Sequence, residues 1–275
     1  MKRLALSLTA LAVLAVGCSS DNNTGPSSAA SKFRPDGLPT WDGLRDAVIA
    51  ATKASPSYSS NGGLALNMWA TVVDRTGTVV AVVFTGDERG DQWLGSRAIS
   101  AQKASAANFF SLGATDSPNF PNGLALSTAN LYTATQPGGS LYGLQFSNPQ
   151  DPDVIYGGNP STYGTRSDFM VNKRPGGINV FGGGLALYNA DGELIGAIGL
   201  SGDTSCADHN IAWKARSILG LDYVPAGVAG PPRQDNIIFD IDPVTGKSAS
   251  GFGHASCSGD NAADQALANT LPPTR

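Results

Sequence analysis

Apolar residues recur at Trp41, Leu44, Ala47, Val48 and Ala51, the one-face spacing of an amphipathic helix, with Pro39-Thr40 as its capping signal and Ser55-Pro56 as its end. Two β-rich runs, 64–73 and 78–84, flank Asp74-Arg75-Thr76-Gly77, which predicts a hairpin with a Gly-containing turn. Residues 93–110 are rich in Ala and free of Pro, and read as a long helix that packs closely on its neighbours. Gly95 weakens its first turn.

Both periods are lost over 113–177, which carries Pro118, Pro121, Pro137, Pro149, Pro152, Pro160 and Pro175. One short helix is predicted there, over 124–133. Irregular segments of this length inside a compact domain are functional or structural insertions. The aromatic residues along it are Phe120, Tyr132, Tyr142, Phe146, Tyr156, Tyr163 and Phe169. They have two readings: anchors of the insertion to the core, or walls of a cleft for a flat ligand.

Regular patterning resumes with a second hairpin, 184–189 and 193–200, around Ala190-Asp191-Gly192. Asp203, Thr204 or Ser205 can cap a following helix that runs to about Leu219 and stops at Gly220. Its buried face is predicted to be Ala207, Ile211, Ala212, Ala215 and Leu219. After Pro225 the chain reads as loop, with one apolar run at 237–241 and a polar tail. This order predicts an α/β (α+β) fold in which helices pack on a meandering antiparallel sheet.

The first twenty residues follow a different logic. Lys2 and Arg3 precede an apolar run over 4–16, and no acidic residue appears before Asp21. Thirteen residues are too few to span a bilayer core, so the run reads as a secretory signal. It ends Ala15-Val16-Gly17-Cys18, which resembles a lipobox, with Ala15 where Leu is usual. The expectation is a lipoprotein signal over 1–17, lipid on Cys18, and a flexible tether over 18–37. The tether would reach roughly 25 Å from a membrane. Ser19 after the cysteine suits outer-membrane sorting, either facing the periplasm or at the cell surface. The folded part would then be 38–221, with the insertion at about 113–177 and a C-terminal extension, 222–275, packed on it.

Composition adds modest constraints. Only 15% of residues are charged and 34 are Gly, which suits a loop-rich globular protein. The formal charge is −4, and it becomes more acidic once Lys2 and Arg3 are removed. That sign, without basic clusters, argues against nucleic-acid binding. With Cys18 lipidated, Cys206 and Cys257 remain as one pair in an oxidising compartment, where a disulfide is expected. A metal or redox pair is the competing reading, without a C-x-x-C spacing to support it.

The segment Gly196-Ala197-Ile198-Gly199-Leu200-Ser201-Gly202 resembles the strand signature of the GlcG/HbpS haem-binding family, which also includes the C-terminal domain of PduO-type proteins. It differs from that signature at one conservative position. Val72-Val73-Asp74-Arg75-Thr76-Gly77 resembles the family's first hairpin. Residues 98–110, with Lys103 at the matching place, resemble its Ala-rich helix. The likeness covers about 38–219 and leaves out the tail and most of the insertion. It implies a profilin-like antiparallel sheet flanked by helices, haem as the cofactor, and homo-oligomers. It also implies Lys103 and Asp208 as cofactor-binding residues, with Lys103 pairing a ligand propionate or, in the blander reading, lying at a solvated helix edge. The family commonly has Asp-Glu where this chain has Asp208-His209, so a possible ligand replaces a carboxylate.

His209 and His254 are the only histidines. A Cys206–Cys257 bond would draw them together as ligands for haem iron or a metal ion, and packing roles are the alternative. Other chemistries fail on their own terms. Position 203, after Gly199-Leu200-Ser201-Gly202, is Asp where a nucleophile elbow needs Gly. Gly246-Lys247-Ser248 has Ile241 where a phosphate loop needs Gly. Gly182-Gly183-Gly184 precedes a strand instead of following one. The sequence therefore reads as a membrane-tethered domain that binds haem or a similar small cofactor for capture or sensing. The alternatives are an interaction module without cofactor and an enzyme acting on haem or a small organic acid.

Overall fold

The computed structural model describes residues 31–53 and 61–275. The signal, Cys18 and most of the tether lie outside the described residues. Residues 31–275 form a single compact unit. Its regular elements are α1 (Trp41–Lys53), β1 (Trp69–Asp74), β2 (Val79–Phe84), α2 (Ser96–Phe110), β3 (Gly184–Tyr188), β4 (Leu194–Ser201), α3 (Ser205–Ile218) and α4 (Asn261–Ala268). The strands form one antiparallel sheet in the order β2-β1-β4-β3, the predicted α/β arrangement of a sheet flanked by helices. Among the described residues no helix is long and apolar enough to cross a membrane.

Alternation along the strands makes three layers. On β1, Ala70 and Val72 face a core shared with Leu44, Val48 and Ala51 of α1 and Ile211, Ala212 and Ala215 of α3. Trp69 and Val73 face the opposite side, against Ala101, Ala104 and Ala107 of α2. Both faces are covered, so the strands read as continuous apolar runs. Thr71 Oγ1 and Ser100 Oγ, 2.7 Å apart, join β1 to α2 by a buried hydrogen bond. At Gly199 of β4 a Cβ would collide with Ser100 O and Ala104 N of α2. The glycine lets the helix backbone lie directly on the strand.

The structure shortens the first predicted strand. Residues 64–68 are not paired in the sheet, because the Leu64 and Leu66 N–H groups donate to the Asp203 carboxylate instead, at 2.7 and 3.0 Å. The expected short helix at 124–133 is a 3₁₀ segment, Thr128–Leu131, followed by the helical turn Tyr132–Thr135. The tail contains a helix where loop was expected: Asp260 caps α4 by accepting from the Ala262 and Ala263 N–H groups.

Two buried ion pairs fasten the irregular parts. Arg97 of α2 pairs with Asp168 of the insertion at 2.5 Å, and its guanidinium lies 3.7 Å from the Tyr163 ring centroid. Arg216 of α3 pairs with Asp235 of the C-terminal extension at 2.6 Å. Cys206 and Cys257 are disulfide-bonded, which ties the start of α3 to the same extension. The insertion's aromatic residues divide: Tyr132, Tyr163 and Phe169 are half-buried, while Phe120, Tyr142, Phe146 and Tyr156 are exposed.

Candidate functional site

The signature that ends β4 leads straight into a cleft of about 410 Å³. Its walls come from four places in the chain. Leu64 and Leu66 precede β1, Trp93, Ser96, Ile99 and Lys103 lie on or before α2, and Asn179 and Phe181 precede β3. Ser201 through Ser205, with Asp208, form the turn into α3. Leu64 and Trp93 are 67% and 68% exposed, so the rim is apolar and open to water. The volume falls in the range of small-molecule sites, roughly 300–1,000 Å³.

Below this rim lies a charge pair. Lys103 Nζ donates to Asp208 Oδ2 at 2.6 Å, and both side chains are almost fully buried. Asp208 Oδ1 accepts from the Asp203 N–H at 2.9 Å. Burial pushes the Asp208 carboxyl up to about 6, against the lowering effect of Lys103. Thr204 caps α3 by accepting from the Ala207 N–H, so the first turn of the helix points its positive end at the cleft.

The two histidines do not line this cleft. His209 lies beneath the extension, with Nε2 3.2 Å from Asn236 Oδ1 and 3.2 Å from the Ile237 N–H. Its Nδ1 has no partner among the described residues. His254 Nε2 accepts from the Gly182 N–H at 3.3 Å, and Nδ1 lies 2.7 Å from Ala255 O. Its ring packs against that of Tyr132 at a tilt of 45°, with centroids 4.9 Å apart. Burial lowers the two proton affinities, to about 3 for His209 and about 4 for His254, so both are neutral near pH 7. Among the described residues no group of three or more His, Cys, Asp or Glu is placed to hold a metal ion.

The structure thus brings Lys103 and Asp208 together at the cleft and sets His209 and His254 behind it. Trp93, Leu64, Ile99, Phe181 and Asp203 also shape the walls, although none of them is expected from the sequence to bind the cofactor. One signal was available: Leu64, Trp93 and Leu94 are large apolar residues at the margins of predicted elements, where a core does not need them.

A family described as HbpS-like, haem degrading protein, matches residues 44–217. Three solved structures are similar. Klebsiella pneumoniae protein ORFY is 24% identical, covering 64% of this chain and 88% of that one, with a TM-score of 0.39. A PduOC:heme complex is 23% identical, with coverage of 64% and 88% and a TM-score of 0.39. A double mutant of Streptomyces reticuli HbpS is 16% identical, with coverage of 71% and 99% and a TM-score of 0.36. No curated protein matches the chain.

Proposed function

The chain belongs to the HbpS-like family of haem degrading proteins, and from that premise we propose that its cleft binds haem or a similar flat cofactor for capture or sensing. The observation that carries this is the apolar, open rim of Trp93, Leu64 and Phe181 above a buried Lys103–Asp208 pair. Flat apolar walls suit the faces of a porphyrin, and a cation suits its carboxylate edge. Among the described residues the lining contains no His, Cys, Met or Tyr, the usual protein ligands of haem iron. The residues fit the organic ring and not the metal, so binding is proposed and no chemistry at iron.

Titration of the purified chain with haem tests this. A saturable shift of the Soret band is expected, with affinity weakened about tenfold by Trp93→Ala or Phe181→Ala, and more by both. The absence of a saturable shift, or a shift indifferent to both substitutions, would overturn the proposal in favour of an interaction module without cofactor.

The proposed setting is the extracytoplasmic face of a bacterial membrane, with the domain held there by lipid on Cys18. Support comes from the lipobox-like Ala15-Val16-Gly17-Cys18 and from the Cys206–Cys257 bond, a feature of oxidising compartments. Cells grown with a radiolabelled fatty acid should label the chain, and Cys18→Ala should abolish the label. Label retained in that variant, or never acquired, would remove the anchor.

A further inference from the structure

Holding a flat ligand uses the charge of Lys103 and leaves its nitrogen, a nucleophile, without a part. Among the described residues Lys103 is the only amine on the lining of the cleft, and its side chain is just 2% exposed. An amine attacks a carbonyl carbon once it has lost a proton, so a base held beside it decides whether it can act. Here that base is Asp208, whose Oδ2 lies 2.6 Å from Nζ.

The surroundings fix this pair and keep one side of it free. Asp208 Oδ1 accepts from the Asp203 N–H, which leaves Oδ2 turned to the nitrogen. Asp203, the other carboxylate on this wall, is engaged by the N–H groups of Leu64, Leu66 and Thr204 and does not compete for the lysine. Gly183, at φ +120°, passes beside Nζ, and a Cβ there would lie 3.0 Å from it. Ser96, Ser201 and Asn179 are buried on the same lining, where their polar groups can meet an oxygen that enters with a ligand. Asn179 Oδ1 accepts from the Phe181 N–H, and among the described residues its Nδ2 makes no hydrogen bond.

We propose that Lys103 captures an aldehyde or ketone as a protonated Schiff base, a covalent activity that rests on the cleft being a ligand site and not on haem. Nζ passes a proton to Asp208, and its freed lone pair forms the C–N bond while the carbonyl π pair moves to oxygen. Asp208 returns the proton to that oxygen. A second proton then travels from nitrogen through Asp208 to the hydroxyl, the C–O bond breaks, and water leaves as C=N forms. Ammonium and carbonyl become iminium and water, with no proton or electron drawn from outside. The remaining iminium N–H stays beside Asp208. The ligand class is a small carbonyl compound with an apolar body, suited to walls such as Trp93, Ile99 and Phe181.

Benzaldehyde is the probe, with cyanoborohydride to reduce the iminium to a stable benzyl amine that peptide mass mapping locates. Lys103 should be labelled at least about tenfold faster than the exposed Lys32, Lys53 and Lys247, because the cleft holds the aldehyde against its amine. Unfolding the chain in urea should erase that preference. Asp208→Asn should slow the label at Lys103 at least about tenfold, since an amide neither takes nor returns a proton. Lys103 labelled no faster than the exposed lysines in the folded parent chain would overturn the proposal, and that comparison needs no variant. Label at Lys103 without a Soret shift would uphold the Schiff base and remove haem. A Soret shift without preferential label would overturn the Schiff base and leave the haem reading standing.

Discussion

Arg216→Met is expected to destabilise the protein by about 3–5 kcal/mol, the cost of leaving one partner of a buried ion pair alone. Arg216 is 1% exposed and Asp235 not at all. The guanidinium donates to both carboxylate oxygens, at 2.6 and 2.7 Å, and to Ala186 O of β3 at 3.1 Å. It also stacks on Trp213, 4.6 Å from the ring centroid. Methionine preserves much of the packing and none of the charge, so the loss isolates Asp235 in a dry site. Urea unfolding should show the midpoint fall, and Asp235→Asn in the same chain should restore part of it. A single variant within about 1 kcal/mol of the parent would contradict this account.

Mild acid should weaken the fold through its two histidines. His209 and His254 are held neutral by burial, with proton affinities lowered to about 3 and about 4. In the unfolded chain each binds a proton below about pH 6.5. Their contribution to stability is therefore complete above that value and is lost as the pH falls towards the folded values. Asp208 works in the opposite sense. Its carboxyl is raised to about 6 from 3.8, so between those values the native state is the better proton binder and acid favours folding. From pH 7 to pH 5 each histidine costs about 2 kcal/mol and Asp208 returns about 1, for a net loss of about 2–3 kcal/mol. Chemical unfolding at the two pH values measures this directly. Replacing His254 by Asn should remove a large part of the difference. Equal or greater stability at pH 5 would show that the histidines are not kept neutral in the folded chain.

The elements were legible where one local rule acted alone. The Ala-rich stretch closed as α2 at Ser96–Phe110, three residues later than its pattern begins, because the chain turns at Gly95 before the helix starts. The second hairpin and α3 fell within a residue or two of their sequence signals. The Gly-rich signature marked a backbone contact, and Gly199 lies under α2 as such a glycine should. Residues 64–68 misled, since their β-like pattern gives no hint that a carboxylate 139 positions away takes the Leu64 N–H. At the cleft, family resemblance singles out Lys103 and Asp208, which the structure pairs at its floor, while nothing in the sequence marks the walls. Trp93, Leu64 and Phe181 come from three separate segments, and nothing local says that they converge. The histidines show the same limit. The disulfide does bring their two segments together, but ring orientation depends on Asn236, Ile237 and Gly182, which no pattern ties to them.

The strand order β2-β1-β4-β3 also has a kinetic side. The two inner strands belong to different hairpins, and the whole insertion lies between them in the chain. Each hairpin can close locally in microseconds, but the β1–β4 seam must wait for a long loop to close. Until β4 arrives, Trp69–Asp74 offers an unpaired apolar edge to any other strand nearby. Nascent or refolding chains should therefore be most prone to self-association while that seam is open, and a holdase that shields the first hairpin would raise the yield of native protein.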